Sequence, residues 1–433
     1  MLCAQIIAAQ TDTTTLSLDD AIRIALSESP TVKVADKEIQ RVDYAQKAAW
    51  YGILPSLSAS AQGSKYLAPA TMNIAGMVIK LSTDYIANAQ LNLGLPLFAP
   101  GLWKSIQMTK LDMQLAVEKA HASKLGLRNQ VTKAYYNVLL AQDSYKTLQQ
   151  GYSLAEESYK QAQKRFEAGI SAEYDAISAK VQMQNLQPNL LLTENAIEQA
   201  KMYLKILMGV DASMPMAIIG SLAEYESGIM DNNSLQLLSA SENSNIKQLD
   251  IQKMQLNKAL QMQQTLRMPT LAAFGNFTYE GTSNKAGENP FTHQPTPASS
   301  SWYSKGLIAG LQLSVPLSAI FTNTAAEKQT KIQIEELEIQ RDYLKNSIDE
   351  QVRVAQNSMD VAAKQIQAAK DNETLAQKGY NISSKRYETG MGTILELQNA
   401  ALQVTQTQLA HRQAVANYLS AKADLELLIG KTN

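Results

Sequence analysis

The sequence predicts a mainly α-helical protein that also carries membrane β-strands, the whole unit being present twice. Three observations predict it. Helical stretches run far longer than a globule can hold, strand-like segments show one apolar and one polar face, and four matched segments recur in the same order.

The repetition comes first because it organises the rest. Residues 165–175, RFEAGISAEYD, and 386–396, RYETGMGTILE, share an Arg, an aromatic, a Glu and a Gly four residues after the Arg. Residues 90–98, QLNLGLPLF, match 310–318, GLQLSVPLS; residues 200–209, AKMYLKILMG, match 421–430, AKADLELLIG; and ILPSLSASA at 53–61 matches RMPTLAAFG at 267–275. The offsets are all between 214 and 221 residues, as the paired positions show. The chain therefore reads as a first repeat at 16–209 and a second at 233–430, joined by a linker at 210–232 and preceded by residues 1–15.

Each repeat has the same elements. MLCAQIIAAQ lacks the basic start and long apolar core of a full signal peptide, so residues 1–15 read as the remnant of an export signal or as a flexible tail. The first repeat opens with a helix of about 30 residues reaching Trp50. Leu18, Ala21, Ile22, Ala25 and Leu26 recur at helical spacing, and Asp19 and Asp20 favour its first turn. Pro55 or Pro269 then gives way to alternation at period two, predicting strands at about 54–66 and 269–280. Loops rich in Gly, Pro, Ser, Thr and Asn follow at 67–83 and 280–301. Second strands come at about 84–97 and 302–317. Ala87, Ala89, Leu91, Leu93, Leu95 and Leu97 lie on one face against Asn88, Gln90 and Asn92, and Leu307, Ala309, Leu311, Leu313, Val315 and Leu317 against Gly310, Gln312 and Ser314. A helix of about 67 residues then runs from Gly101 to Glu167, interrupted only by Gly126 and Gly151. At 1.5 Å per residue it spans roughly 100 Å. After reversals at 166–172 and 387–393, helices of about 36 residues return. Rods of that length pack side by side through small and aliphatic seams.

Composition narrows the function. A net charge of −1 offers no basic face for nucleic acid. One cysteine, Cys3, rules out an intrachain disulfide and a thiol-rich metal site, and His121, His293 and His411 are too scattered for most zinc arrangements. No metal or cofactor is expected. No run of 18 apolar residues is present, so any passage across a membrane falls to the strands. Two-faced strands of 10 or so residues fit a barrel with lipid outside and water inside; their apolar face could instead cover a soluble core, but the polar-seamed rods offer none to cover. A membrane tolerates no open sheet edge, and about eight strands are the minimum for closure, so four per chain require several chains to share one barrel.

The duplicated layout, the L-x-(G/S)-(L/V)-P-L strand ends at 91–97 and 311–317, and the paired R-(F/Y)-E-x-G turns resemble the TolC-like outer membrane efflux proteins across nearly all of 16–430. The resemblance implies a homotrimer whose strands form a twelve-stranded outer-membrane β-barrel, continued by an α-helical barrel through the periplasm. It implies partnership with a periplasmic adaptor (membrane fusion) protein and an inner-membrane pump, in tripartite efflux or type I secretion. The two reversals would then be periplasmic tips, with Arg165, Gly169, Ile170, Ser171, Arg386, Gly390, Met391 and Thr393 as adaptor contacts, although plain helix C-caps would use the glycines equally. The same resemblance places Asp175, Tyr387, Glu396 and Asn399 at the tunnel entrance. There Asp175 and Tyr387 would bond across neighbouring helices, and three copies of Glu396 would form an acidic ring. A solvated Glu396 is the alternative. Gly392 stands where a basic partner can occur and Asn399 where a second acid can, so a salt-bridge lock at the tip is not expected.

Two other function classes fit less of the sequence. The G-x-G at 390–392 follows no strand, and no nucleophile–base order or metal spacing accompanies the abundant carboxylates, so an enzyme is not expected. A soluble periplasmic coiled-coil scaffold would account for the helices but not for four alternating strands.

Overall fold

The computed structural model describes residues 14–68, 70–74, 76–80, 82–227, 229, 242–289, 292 and 294–430. Cys3, His293 and the middle of the linker lie outside them. Thr14 and Thr15, grouped by the sequence with the N-terminal tail, belong to a strand β1 (Thr14–Leu16). Helix α1 (Leu18–Glu28) is capped by Ser17, whose hydroxyl accepts from the Asp20 amide. The expected 30-residue opening helix is in fact two. Pro30 has no N–H to continue the ladder, so the chain breaks at Ser29 and restarts with Pro30 as the first residue of α2 (Pro30–Tyr51).

Strands β2 (Ser56–Lys65) and β5 (Tyr85–Phe98) flank a small hairpin of β3 (Thr71–Ile74) and β4 (Met77–Lys80), inside the segment read as loop. The long helix α3 (Pro100–Glu167) reverses into α4 (Glu173–Met208). The linker region contributes β6 (Met216–Ile218) and α5 (Leu222–Glu226). The second repeat runs through α6 (Ser244–Thr265), β7 (Thr270–Asn284), β8 (Gly287–Glu288), β9 (Pro295–Thr296), β10 (Ser299–Ser314), α7 (Ala319–Glu388) and α8 (Ile394–Leu428). Val315 and Leu317, assigned by alternation to the last strand, lie past its end, because β7 begins at Thr270, opposite Ser314, and offers no partner beyond it. Gly151, isolated inside α3, is explained by packing: a Cβ there would sit 2.6 Å from the Thr405 hydroxyl.

By packing, the chain divides into two units that cut across its repeats. One takes in the described residues up to Ile39, Leu115–Asp250 and those from Ile339 on; the other takes Gln40–Gln114 and Ile251–Glu338. The second unit holds an antiparallel sheet in the order β10–β7–β5–β2, in which β5 of the first repeat pairs with β7 of the second. Register places like residues in rows. Ala59, Leu91, Phe277 and Leu307 lie opposite one another on one face, as do Leu57, Leu93, Gly275 and Ala309. The other face carries Ser58, Asn92 and Asn276 in one row and Gln62, Asn88, Glu280 and Tyr303 in another. Asn276 donates to Asn92 across the strands, and the Tyr303 hydroxyl donates to Glu280 at 2.8 Å. A bulge between Ser304 and Gly306 turns Lys305 onto the same carboxylate. Large aliphatic side chains on the first face are exposed: Leu57, Leu91, Leu93, Leu307, Leu311 and Leu313. Among the described residues, no strand pairs with the outer edges of β2 and β10.

The first unit has a packed interior around Tyr135, Leu139, Leu204, Met208, Leu222 and Ile366. The Tyr135 hydroxyl lies 2.9 Å from the Ile219 carbonyl and 3.3 Å from that of Leu16, tying the β1–β6 pair to α3. Asp143 accepts the Leu222 amide at 2.9 Å and so anchors the start of α5. At the other end of α5, Glu226 accepts from Lys370 at 2.8 Å and lies 3.3 Å from His411 Nε2, while His411 Nδ1 meets Glu373 at 2.7 Å. Burial alone would raise the Glu226 carboxyl. The Lys370 hydrogen bond and the charges of His411, Lys370 and Arg412 outweigh it and hold the group below its usual range.

Because the folded value is the lower one, Glu226 contributes stability that is complete above the ordinary value of 4.5 and is lost as pH falls through the folded value. Glu226→Gln is expected to cost about 1.5–3 kcal/mol at pH 7. The gap to wild type should narrow in melts taken below about pH 4.5; a gap that widens on acidification would contradict this assignment.

Candidate functional site

Both helix reversals span five residues, 168–172 and 389–393. Each closes in the same way. The Gly169 amide donates to the Phe166 carbonyl at 2.8 Å and the Ile170 amide to that of Arg165 at 2.8 Å. The Gly390 amide donates to Tyr387 at 3.1 Å and the Met391 amide to Arg386 at 2.8 Å. These are Schellman closures, which need a left-handed residue after the C-cap, and Gly169 (φ +71°) and Gly390 (φ +80°) supply it. Gly392 sits close against its own hairpin: a Cβ there would lie 3.1–3.2 Å from Arg386 and the Tyr387 amide, tighter than side chains usually stand.

The two reversals differ in how the next helix begins. Thr393 caps α8, its hydroxyl accepting the Glu396 amide at 3.2 Å, whereas Ala172 at the matching position of α4 has no side-chain cap. The Thr-x-x-Glu spacing of a capping box at 393–396 is the sequence signal for this cap.

The matching arginines also part company. Arg165 crosses between the hairpins: its guanidinium donates to the Tyr387 carbonyl and, at 3.4 Å, to that of Glu388, and it lies 5.0 Å from the Tyr387 ring centre. Arg386 folds back on its own hairpin, donating to the Met391 carbonyl at 3.2 Å and standing 3.8 Å from Glu396. An ion pair therefore does occur at the tip, within one hairpin and half exposed. Arg165→Ala is expected to destabilise the tip by about 1.5–3 kcal/mol, and Arg386→Ala by well under 1 kcal/mol. Amide exchange at 386–394 reads the difference; equal effects would refute the crossing role of Arg165.

Tyr387 is buried with Ala162, Ala176, Ala179, Ile394 and Leu397, and Tyr159 and Tyr380 pack around the cluster. Its hydroxyl has no hydrogen-bond partner among the described residues. Burial raises the Tyr387 phenol and Asp175 raises it further, against the pull of Arg165. Asp175 is half-buried near it, without a hydrogen bond between them. The Ser171 hydroxyl and Gln398 amide nitrogen are likewise buried and unpartnered. Ile170, Met391, Glu396 and Asn399 are exposed. Gln398 and Ser178, which approach to 3.4 Å, were missed, because neither carries a motif.

The family model "outer membrane efflux protein" matches residues 21–210 and 237–431, nearly the whole chain. The chain belongs to the outer membrane efflux protein family. A relative, outer membrane protein TolC of Vibrio cholerae serotype O1, is 21% identical over 347 residues, 80% of this chain and 77% of that one. The CmeC outer membrane channel of Campylobacter jejuni superposes with a TM-score of 0.72 at 16% identity, over 95% of this chain and 85% of that one. The open state of the Neisseria gonorrhoeae MtrE outer membrane channel gives 0.70 at 16% identity, over 97% and 94%. At these identities the superpositions show a common fold. This efflux-family chain is thus a TolC-like outer-membrane channel with its helical part in the periplasm. Its family consists of channels rather than enzymes.

Proposed function

We propose that the chain is the exit duct of a tripartite efflux or type I secretion system. Three copies share one twelve-stranded barrel, and an inner-membrane pump delivers cargo through a periplasmic adaptor. The observation that carries the reading is the four-stranded sheet with one exposed aliphatic face, one polar face and two open edges, on a chain of the efflux family. In hydrocarbon each open N–H and C=O costs several kcal/mol, a cost removed when β2 of one copy meets β10 of the next. The chain has no catalytic part in this reading.

At the tips, the proposed adaptor contacts are the exposed turn residues Ile170 and Met391 with their flanking Arg165, Gly169, Ser171, Arg386, Gly390 and Thr393. The entrance is lined by Asp175, Tyr387, Glu396 and Asn399. The Tyr387 hydroxyl is buried in its own chain without an acceptor, which is costly, so in this reading the assembled tip rearranges to bring it one. Glu396, repeated three times, gives a cation-selective ring.

Planar-bilayer recording tests both ideas. Tyr387→Phe is expected to raise conductance by loosening the closed tip. Glu396→Gln is expected to lower cation preference and block by multivalent cations. Unchanged selectivity and block would rule out the acidic ring, and unchanged conductance would rule out the tyrosine latch.

A further inference from the structure

The apolar face of the sheet is not uniform. Near the end where β2 joins β5 and β7 joins β10, one row across the four strands reads Gly63, Ala87, Gly281 and Trp302. The Trp302 ring lies flat over Gly281, where a Cβ would come within 2.6–2.7 Å of it, and stacks on Tyr279 at 5.8 Å. The next row outward is Lys65, Tyr85, Ser283 and Ser300. Together these rows bound a cleft of about 400 Å³. Its floor is apolar, one wall is aromatic, and its outer rim carries an ammonium, a phenol and two hydroxyls.

The charges around the rim are informative. Lys80 is paired with Asp84 and Lys305 with Glu280. Lys65 makes no ion pair among the described residues, and its side chain stands on the lipid-facing side. Helices α2 and α3 join β2 and β5 at the opposite end of the sheet, so with helices on the periplasmic side this end is the outer one, where headgroups meet the barrel. Aromatic and long basic side chains favour that depth, the one by its amphipathic ring and the other by extending its charge to the interface.

We propose that this cleft holds a phosphorylated lipid headgroup of the outer leaflet. The phosphate sits against Lys65, with the hydroxyls of Tyr85, Ser283 and Ser300 as donors, and the first methylenes of the lipid cover the Gly63–Ala87–Gly281 floor beside Trp302. A soluble anion would gain from Lys65 alone. A lipid gains from the apolar floor as well, and the cleft opens on the face that contacts hydrocarbon. The inference rests on the channel reading of the sheet.

Native mass spectrometry of the assembled, detergent-purified protein tests it. The probes are diphosphoryl lipid A, its monophosphoryl form, phosphatidylethanolamine and inorganic phosphate. The variants are Lys65→Ala, Gly63→Leu, which fills the floor where an added Cβ meets nothing within 4 Å, and Lys110→Ala as a distant control. Wild type should retain one diphosphoryl lipid per chain. Lys65→Ala and Gly63→Leu should each weaken retention about tenfold, equivalent to about 1.4 kcal/mol, with the control unchanged. Equal retention across the variants would overturn the proposal, as would Lys65-dependent capture of inorganic phosphate to the same extent as lipid. Bilayer conductance of the same preparations separates the two levels: channels that conduct while retention ignores Lys65 and Gly63 refute the cleft alone, and protein that forms no channel refutes the sheet reading and the cleft with it.

Discussion

Ala61→Pro is expected to leave the single chain folded and to abolish its assembly. The Tyr66 amide donates to the Asp84 carbonyl at 2.9 Å, so that pair is a hydrogen-bonded one. Pairs alternate along an antiparallel ladder, which makes Ser64–Ile86, Gln62–Asn88 and Ser60–Gln90 the inward-bonded positions. Ala59, Ala61 and Gly63 therefore aim their amides at the open edge of β2. Proline at 61 removes a donor that the isolated chain does not use, and places a ring where a neighbour's strand must approach. In the proposed barrel the same loss occurs at three seams, for a total on the order of 10 kcal/mol in hydrocarbon. Native electrophoresis should show monomer with unchanged helical circular dichroism. Gln62→Pro, one residue on, should instead damage the β2–β5 ladder inside the chain. Normal assembly of the Ala61→Pro protein would show that β2 is not a seam.

The second large effect is Leu91→Arg, with Gln90→Arg as its counterpart. These neighbours on β5 face opposite sides: Leu91 lies in a row with Ala59, Phe277 and Leu307, and Gln90 with Ser60 and Thr278. An arginine at mid-depth on the lipid side of a barrel costs about 2–4 kcal/mol, so three copies cost about 6–12 kcal/mol per assembly. The same residue at position 90 points into water and should cost about 1 kcal/mol or less while shifting ion selectivity toward anions. Denaturant unfolding from lipid vesicles measures the first and reversal potentials the second. Similar destabilisation by both substitutions would mean that the faces are assigned the wrong way round.

These contrasts were open to the sequence because side-chain direction in a strand is a local property, alternating every residue whatever the strand pairs with. Leu91 and Asn92 declare their faces unaided. The break between α1 and α2 was harder: helical spacing continues through Leu26, and proline is compatible with a first turn as well as with a bend. The β1–β6 pair and α5 were not legible, since three-residue strands exist only through partners some 200 residues apart and α5 starts on Asp143. Packing units were hidden for a similar reason. Repeats report how the gene was built, whereas β5 and β7 pair across the repeat boundary. At the tips the glycines and arginines stood out, yet identical motifs gave no sign that Arg165 would cross over while Arg386 would not, because that choice depends on where the Tyr387 carbonyl ends up.

The caps of the returning helices have a mechanical consequence. A threonine cap is worth about 1 kcal/mol over alanine, enough to change the frequency of first-turn opening about fivefold. Thr393 therefore ties down one arm of each chain, while the arm that begins at Ala172 starts untied. The two arms share one shape but have different springs. Around the proposed three-chain ring, firm and yielding arms alternate, so a pull applied evenly to all six would move every second one first.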